Sequence, residues 1–342
     1  MEDERLEGRL RRAKSRWPQE RMVTVMNVNA ETLSRAEGCL LGQLAGDSLG
    51  SLVEFQSPAD IRRRYPDGVR ELIDGGTWDT IAGQPTDDSE MALMLARMLI
   101  KERRYDAEEA RKAYVFWLNS HPFDCGMTVS AGLRGRPNPD SQANGALMRI
   151  SPLGIFCWNC DLEKTSQLAQ LDASLTHPHP VCGQANALFA MAIAQLISTY
   201  KSPQETYEDI KLWATELKVE KTLMKAILDA ALTTAADYET QQGWVIIAFQ
   251  NALWQLLNAP SLEEGVVDTV MRGGDTDTNA AIAGALLGAA YGRDAVPKQW
   301  VEKLLSCRPK AGEPRVRRPR PERFWPIDAT ELARSLVAGG DE

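Results

Sequence analysis

The sequence predicts an all-α protein, and three observations carry that prediction. Apolar residues recur at helical spacing through most of the 342 residues, while strand-like alternation is scarce. Gly38, Gly42, Gly46 and Gly50 fall on every fourth residue of one apolar run, and Gly284, Gly288 and Gly292 repeat the device near the other end. A mid-helix glycine costs about 1 kcal/mol against alanine. Two such rows therefore point to a compensating gain, two helices whose backbones meet along a face without side chains. These are read as the two central helices of the bundle.

The remaining elements follow in chain order. Residues 1–32 read as an N-terminal arm, with Leu6, Leu10, Ala13 and Trp17 at helical spacing among mixed charges before Pro18. Such an arm either packs on its own domain or docks into a groove of another protein through Leu6, Leu10 and Trp17. Ser34 and Glu37 form a capping-box pattern that opens the first central helix. Further helices are expected over 88–102, 106–119, 141–148, 161–174, 183–199, 203–216, 219–237, 243–258, 261–270, 297–306 and 328–338. Residues 308–326, RPKAGEPRVRRPRPERFWP, hold too much proline for a continuous helix and are expected to wrap the surface as an extended strap. No flexible linker divides the rest, so residues 33–338 read as one domain.

Composition bounds the function. Apolar content of 44% and charge of 25% are those of a soluble globular protein. A net charge of −8 argues against nucleic acid as the main partner, which calls for a basic face. The start, MEDERLEGRLRR, is too charged for a signal-peptide core. No apolar run reaches the roughly 20 residues that span a bilayer. A cytoplasmic protein without a membrane partner is expected. Of the six cysteines, Cys157 and Cys160 have metal or redox spacing, yet no second pair or nearby His completes a zinc site.

The chemistry concentrates in two acidic stretches. In GGDTDTNAAIAGALLGAAYG, Asp275, Asp277, Thr278 and Asn279 place several oxygen donors within five residues of an almost wholly apolar helix. Carboxylates packed against apolar surface are costly unless a positive group stands between them, and a hard divalent cation is the economical answer. Thr86-Asp87-Asp88-Ser89-Glu90 repeats the layout ahead of the run Met91–Leu99. Alone, this second cluster also fits an ordinary helix start, with Thr86 as N-cap and acids at the positive end of the dipole. Together the two suggest one shared site, since a pair of divalent ions needs carboxylates from more than one segment. An EF-hand loop is excluded, because Ala280 and Leu286 occupy its glycine and glutamate positions.

These residues resemble the ADP-ribosylglycohydrolase family from about Gly38 to Val337. The pieces come in the family's order: GCLLGQLAGDSLGSLVEF, TDDSEMAL, DCGMTVSAGL, NGALMRISPLG, THPHP and GGDTDTNAAIAGALLGAAYG. The resemblance implies a compact orthogonal multi-helix bundle and two divalent cations, Mg2+ or Mn2+, at the foot of a cleft for ADP-ribose. By matching positions it implies Thr86, Asp87, Asp88, Asp275, Asp277 and Thr278 as metal ligands. It implies Glu54 as the active-site glutamate, and Asp47 as its support from two turns earlier on the same helix face. Asp124, Gly126 and Thr128 would form one substrate loop and Asn144, Gly145 and Met148 a second, with His177 on the adenosine or distal-ribose side. Ala143, Pro85 and Ser89 depart from the family's usual residues, and none of them is an implied ligand.

The activity so implied is hydrolysis of mono-ADP-ribose from modified protein, most naturally from arginine. It would run through a metal-activated water whose proton goes to Glu54 or Asp88, with Glu54 favoured. The resemblance also implies an alternative, an immunity protein that occludes an ADP-ribosyltransferase toxin through the N-terminal arm, with or without hydrolysis.

Overall fold

The computed structural model describes residues 28–340. The partner-docking expectation at Leu6, Leu10 and Trp17 lies outside the described residues. Fifteen α-helices and no strands occur among the described residues. In chain order they are α1 (Ala30–Gly50), α2 (Pro58–Arg64), α3 (Asp87–Glu102), α4 (Ala107–Leu118), α5 (Met127–Leu133), α6 (Ser151–Phe156), α7 (Leu162–Ser174) and α8 (Pro180–Thr199). There follow α9 (Pro203–Glu216), α10 (Lys221–Asp229), α11 (Val245–Asn258), α12 (Leu262–Val270), α13 (Thr276–Tyr291), α14 (Lys298–Ser306) and α15 (Ala329–Gly339).

Helices α1 and α13 form the centre, running antiparallel in backbone contact. A Cβ added at Gly42 would stand 2.2 Å from the Gly284 carbonyl oxygen, and one at Gly38 would stand 2.5 Å from that of Gly288. The ladder ends at the chemistry, for a Cβ on Gly50 would lie 2.4 Å from Asp277 Cα. Every residue of α13 from Thr276 to Ala290 is buried, which explains why the helix is apolar on all sides. Around the pair pack α8, α11, α12 and α15. Helix α8 is long and apolar enough by composition to cross a membrane, but 83% of its most apolar window is buried within the protein.

Several elements differ from the sequence expectation. The first helix starts at Ala30, inside the range assigned to the arm, and Asn29 rather than Ser34 caps it by accepting from Thr32 N. Ser34 and Glu37 serve tertiary contacts instead: the Ser34 hydroxyl accepts from Arg293 N, and buried Glu37 pairs with Arg334 and Arg293. The expected helix at 141–148 is a turn with a short 3-10 segment at Leu147–Arg149, because Ala143 pairs with Trp244 and Asn144 N–H is held by the Gly243 carbonyl. The helix expected over 219–237 stops at Asp229. Helices α2, α5 and α6 were not expected, being only seven, seven and six residues long, although Ser57 and Pro58 give α2 a regular start.

The strap at 308–326 contains no α-helix, as its prolines require. Its anchor is Arg320, which donates to Glu90 Oε1 at 2.8 Å and Oε2 at 2.7 Å in a buried pair, and also to Ser120. Glu90 thus turns away from the acids that precede it.

Two stability outcomes are expected. Gly284→Ala, although alanine is the better helix former, should cost about 1–3 kcal/mol by overpacking; equal or higher stability in urea denaturation would show the contact to be loose. Arg320→Ala should cost about 3–5 kcal/mol by stranding a buried carboxylate, and Glu90→Gln in that background should recover part of the loss.

Candidate active site

The N-terminus of α3 is built against α1. Thr86 occupies the N-cap position with extended backbone, yet its own side chain makes no capping bond. Asp47 of α1 does that work, accepting from Thr86 N at 3.1 Å, Thr86 Oγ1 at 2.9 Å and Ser89 N at 3.1 Å. Asp47 is therefore a buried acid satisfied by a helix N-terminus and not by a base. It does not share a helix face with Glu54, because α1 ends at Gly50 and Glu54 lies in the turn beyond. That turn is sewn to the loop at 75–80: the Thr77 hydroxyl donates to the Glu54 carbonyl, and the Trp78 indole N–H donates to Glu54 Oε2.

The two acidic stretches meet. Asp47, Asp88 and Asp277 bring carboxylate oxygens within 4.8 Å of one another, and Glu54, Asp275 and Asp277 do the same. Asp277 belongs to both trios. Asp277 Oδ1 accepts from Thr278 N at 2.9 Å, and the Thr86 hydroxyl lies 3.0 Å from Asp88 Oδ2. Asp88 Oδ1 and Asp277 Oδ2 are buried with no hydrogen-bond partner. Among the described residues no ion pair to Lys or Arg reaches any of these acids. Burial pushes them all up, helped at each but Asp275 by repulsion from neighbouring carboxylates: Asp88 and Asp277 well above the carboxylate range, Asp87 and Asp275 upward, Asp47 to about 7 and Glu54 to about 8. Orphaned inward-facing oxygens in a region of uncompensated negative charge are the donor set of a hard-cation site.

The implied substrate loops border this cluster. Asp87 Oδ2 accepts from Gly126 N at 3.2 Å, and Asp124 leans on Asp87, its carboxyl pushed to about 10 first by burial and then by the Asp87 charge. The Thr128 and Ser141 hydroxyls lie 2.8 Å apart, joining the 124–128 loop to the next. Asn144 Nδ2 donates to Asp275 Oδ2 at 2.7 Å. Met148, by contrast, is buried, and its carbonyl accepts from Gln43. His177 sits beneath Gly145, whose absent side chain admits the imidazole; a Cβ there would be 3.2 Å from His177 Cε1. Burial pushes the His177 pKa down to about 3, so the ring is neutral, and its Nδ1 lies 2.8 Å from the Thr176 hydroxyl.

Trp78 and Trp244 escaped the sequence reading. Trp78 holds Glu54, and Trp244 bonds Gln142 through its indole N–H at 2.9 Å. Only long-range contact defines either role, 24 residues apart in the first case and 102 in the second.

A family model described as ADP-ribosylglycohydrolase matches residues 28–326. The chain belongs to the ADP-ribosylglycohydrolase family. It is 31% identical over 285 residues to ADP-ribosyl-[dinitrogen reductase] glycohydrolase of Rhodospirillum rubrum, covering 79% of this chain and 90% of that one. It is 28% identical to ADP-ribosylarginine hydrolase Tri1 of Pseudomonas putida, covering 85% and 79%. A solved structure titled ADP-ribosylglycohydrolase-related protein complex shares the fold with a TM-score of 0.75 at 23% identity, covering 91% of this chain and 100% of that one. As a family member the chain is a hydrolase of ADP-ribosyl glycosidic linkages.

The electrostatics give a signed pH dependence. Acids whose folded pKa stands above the unfolded value stabilise the fold at low pH and lose that contribution as pH rises through the folded pKa. In chelator, the melting temperature should fall as pH rises from the ordinary carboxylate range of about 4, and the fall should level off as pH passes the folded values of about 7 for Asp47, about 8 for Glu54 and about 10 for Asp124. Divalent cations should reverse most of the fall. A flat profile in chelator would show that these carboxyls are not protonated in the folded chain.

Proposed function

We propose that this protein removes mono-ADP-ribose from arginine side chains of modified proteins, using two divalent cations, Mg2+ or Mn2+. The observation that carries the reading is the pair of carboxylate trios sharing Asp277. Thr86, Asp87, Asp88, Asp275, Asp277 and Thr278 would hold the cations, with the two threonines as neutral donors that limit the crowding of charge. The cations would supply Lewis acidity to a water and a grip on the ribose hydroxyls.

The chain's own residues do the rest. Glu54 receives the proton of the attacking water. It touches Asp277 yet keeps a separate anchor in Trp78, which leaves it beside the cation ligands as a positioned proton acceptor. Asn144 fixes Asp275 in place, and the Gly126 N–H fixes Asp87 while leaving open backbone beside it. Bond cleavage between ribose C1 and the guanidinium nitrogen passes through a transition state with oxocarbenium character, and the surrounding carboxylates favour the positive charge that develops there. Arginine linkage is favoured by relatives named ADP-ribosylarginine hydrolase in two organisms. A human relative is named simply ADP-ribosylhydrolase ARH3.

An arginine-ADP-ribosylated peptide should release ADP-ribose in Mg2+ or Mn2+. Chelator should abolish release, and re-addition of the metal should restore it. Asp277→Ala should lower kcat/KM by at least about 1,000-fold, as expected when an electrostatic centre of the transition state is lost, while the helical circular dichroism is retained. Full turnover in the chelated sample would overturn the metal-dependent mechanism.

A further inference from the structure

Beside Glu54 stands a cluster of aromatic rings for which hydrolysis of the ribose bond has no evident use. Phe55 follows Glu54 directly and meets Trp78 edge to face, ring centroids 6.5 Å apart. Phe123, which precedes Asp124, is tilted against the same indole at 6.0 Å. Phe55 is 55% exposed and has a left-handed backbone, φ 63°. That conformation is costly for a bulky residue. It is held by the bond from Phe55 N–H to the Gly274 carbonyl at 2.8 Å, which ties the ring to the glycine turn just ahead of Asp275. A phenyl ring kept for packing would be buried. This one is strained and presented to solvent at the edge of the acidic cluster.

The loop that carries Trp78 is fixed from outside as well. Arg318 of the strap donates to the Trp78 carbonyl at 2.8 Å, and the Gln84 amide donates to the Arg318 carbonyl at 2.6 Å. The indole is thereby pinned at its backbone and at its N–H, which points to a preset surface and not to a ring that adapts.

Aromatic faces carry negative quadrupole density and attract cations, guanidinium above all, because it is planar and weakly hydrated. An anionic pyrophosphate would meet repulsion here from both the rings and the carboxylates. A neutral hydroxyl leaving group would gain nothing from the rings. We infer that Phe55, Trp78 and Phe123 form the leaving-group subsite, which receives the guanidinium of the modified arginine and selects it over uncharged linkages. The inference rests on the arginine-hydrolase reading above and deepens it.

The test compares wild type with Phe55→Leu, Phe123→Leu and Phe55→Tyr in Mg2+. The readouts are kcat/KM on an ADP-ribosylarginine peptide and the inhibition constant of free ADP-ribose, which lacks the guanidinium. Each leucine variant should lose about tenfold in kcat/KM, the scale of a desolvated cation over an aromatic face. The ADP-ribose constant should stay within about twofold, and Phe55→Tyr should retain wild-type turnover. Unchanged turnover in both leucine variants, or an equal loss of ADP-ribose affinity, would overturn the subsite while leaving the hydrolase reading intact. A wild-type enzyme that released no ADP-ribose from the arginine peptide would instead sink that reading and this inference with it.

Discussion

Negative charge without a positive partner is the constraint around which this molecule is arranged. Asp47, Glu54, Asp87, Asp88, Asp124, Asp275 and Asp277 converge at one end of the α1–α13 pair, and burial raises the pKa of every one of them. Sequestering an ionised carboxylate costs several kcal/mol even after relaxation, so each such group must take up a proton or find a cation. The glycine ladder makes the crowding inescapable. With no side chains between α1 and α13, Gly50 is brought against Asp277, and the start of α13 cannot retreat from Asp47 and α3.

Other buried acids in the protein show what ordinary compensation looks like. Glu37 has Arg334 and Arg293, Glu90 has Arg320, and Asp172 has Arg149 together with the Tyr114 hydroxyl. These pairs hold the terminal helix, the strap and the floor under Gly145. Asp47 stands between the two classes. It lacks a base but is satisfied by three donors at the start of α3, and so it fixes where Thr86 and Asp88 present their oxygens. The fold thus supplies arginine to Glu37, Glu90 and Asp172, which support structure, and among the described residues gives none to Asp88, Asp275 or Asp277.

That division explains what could be read in advance. The glycine rows announced the central pair, because a four-residue repeat of glycine has few uses other than close helix contact. The two acid-rich stretches announced a common site through their composition alone. Partnership was not legible. Glu90 belongs to the acidic run by sequence but to the strap by geometry, and nothing near it names Arg320, 230 residues away. Ser34 and Glu37 have the spacing of a capping box, yet Asn29 takes the cap and long-range arginines take the glutamate. Residues 141–148 mix helix formers with the turn pair Asn144-Gly145, and the pairing of Ala143 with Trp244 holds that backbone open and lets Asn144 reach Asp275. In the first two cases a local pattern lost to a contact between distant segments, and in the third a local turn signal agreed with one. Phe55 and Trp78 were invisible for the same reason, since only the fold brings them beside Glu54.

Diffraction from crystals grown with Mn2+, with data collected at the manganese absorption edge, addresses the buried-charge account most directly. Two anomalous peaks are expected beside the Asp277 carboxylate, ligated by oxygens drawn from Thr86, Asp87, Asp88, Asp275, Asp277 and Thr278. Crystals that diffract well but show no anomalous density there, with Asp88 and Asp277 instead sharing protons across short oxygen–oxygen contacts, would contradict it.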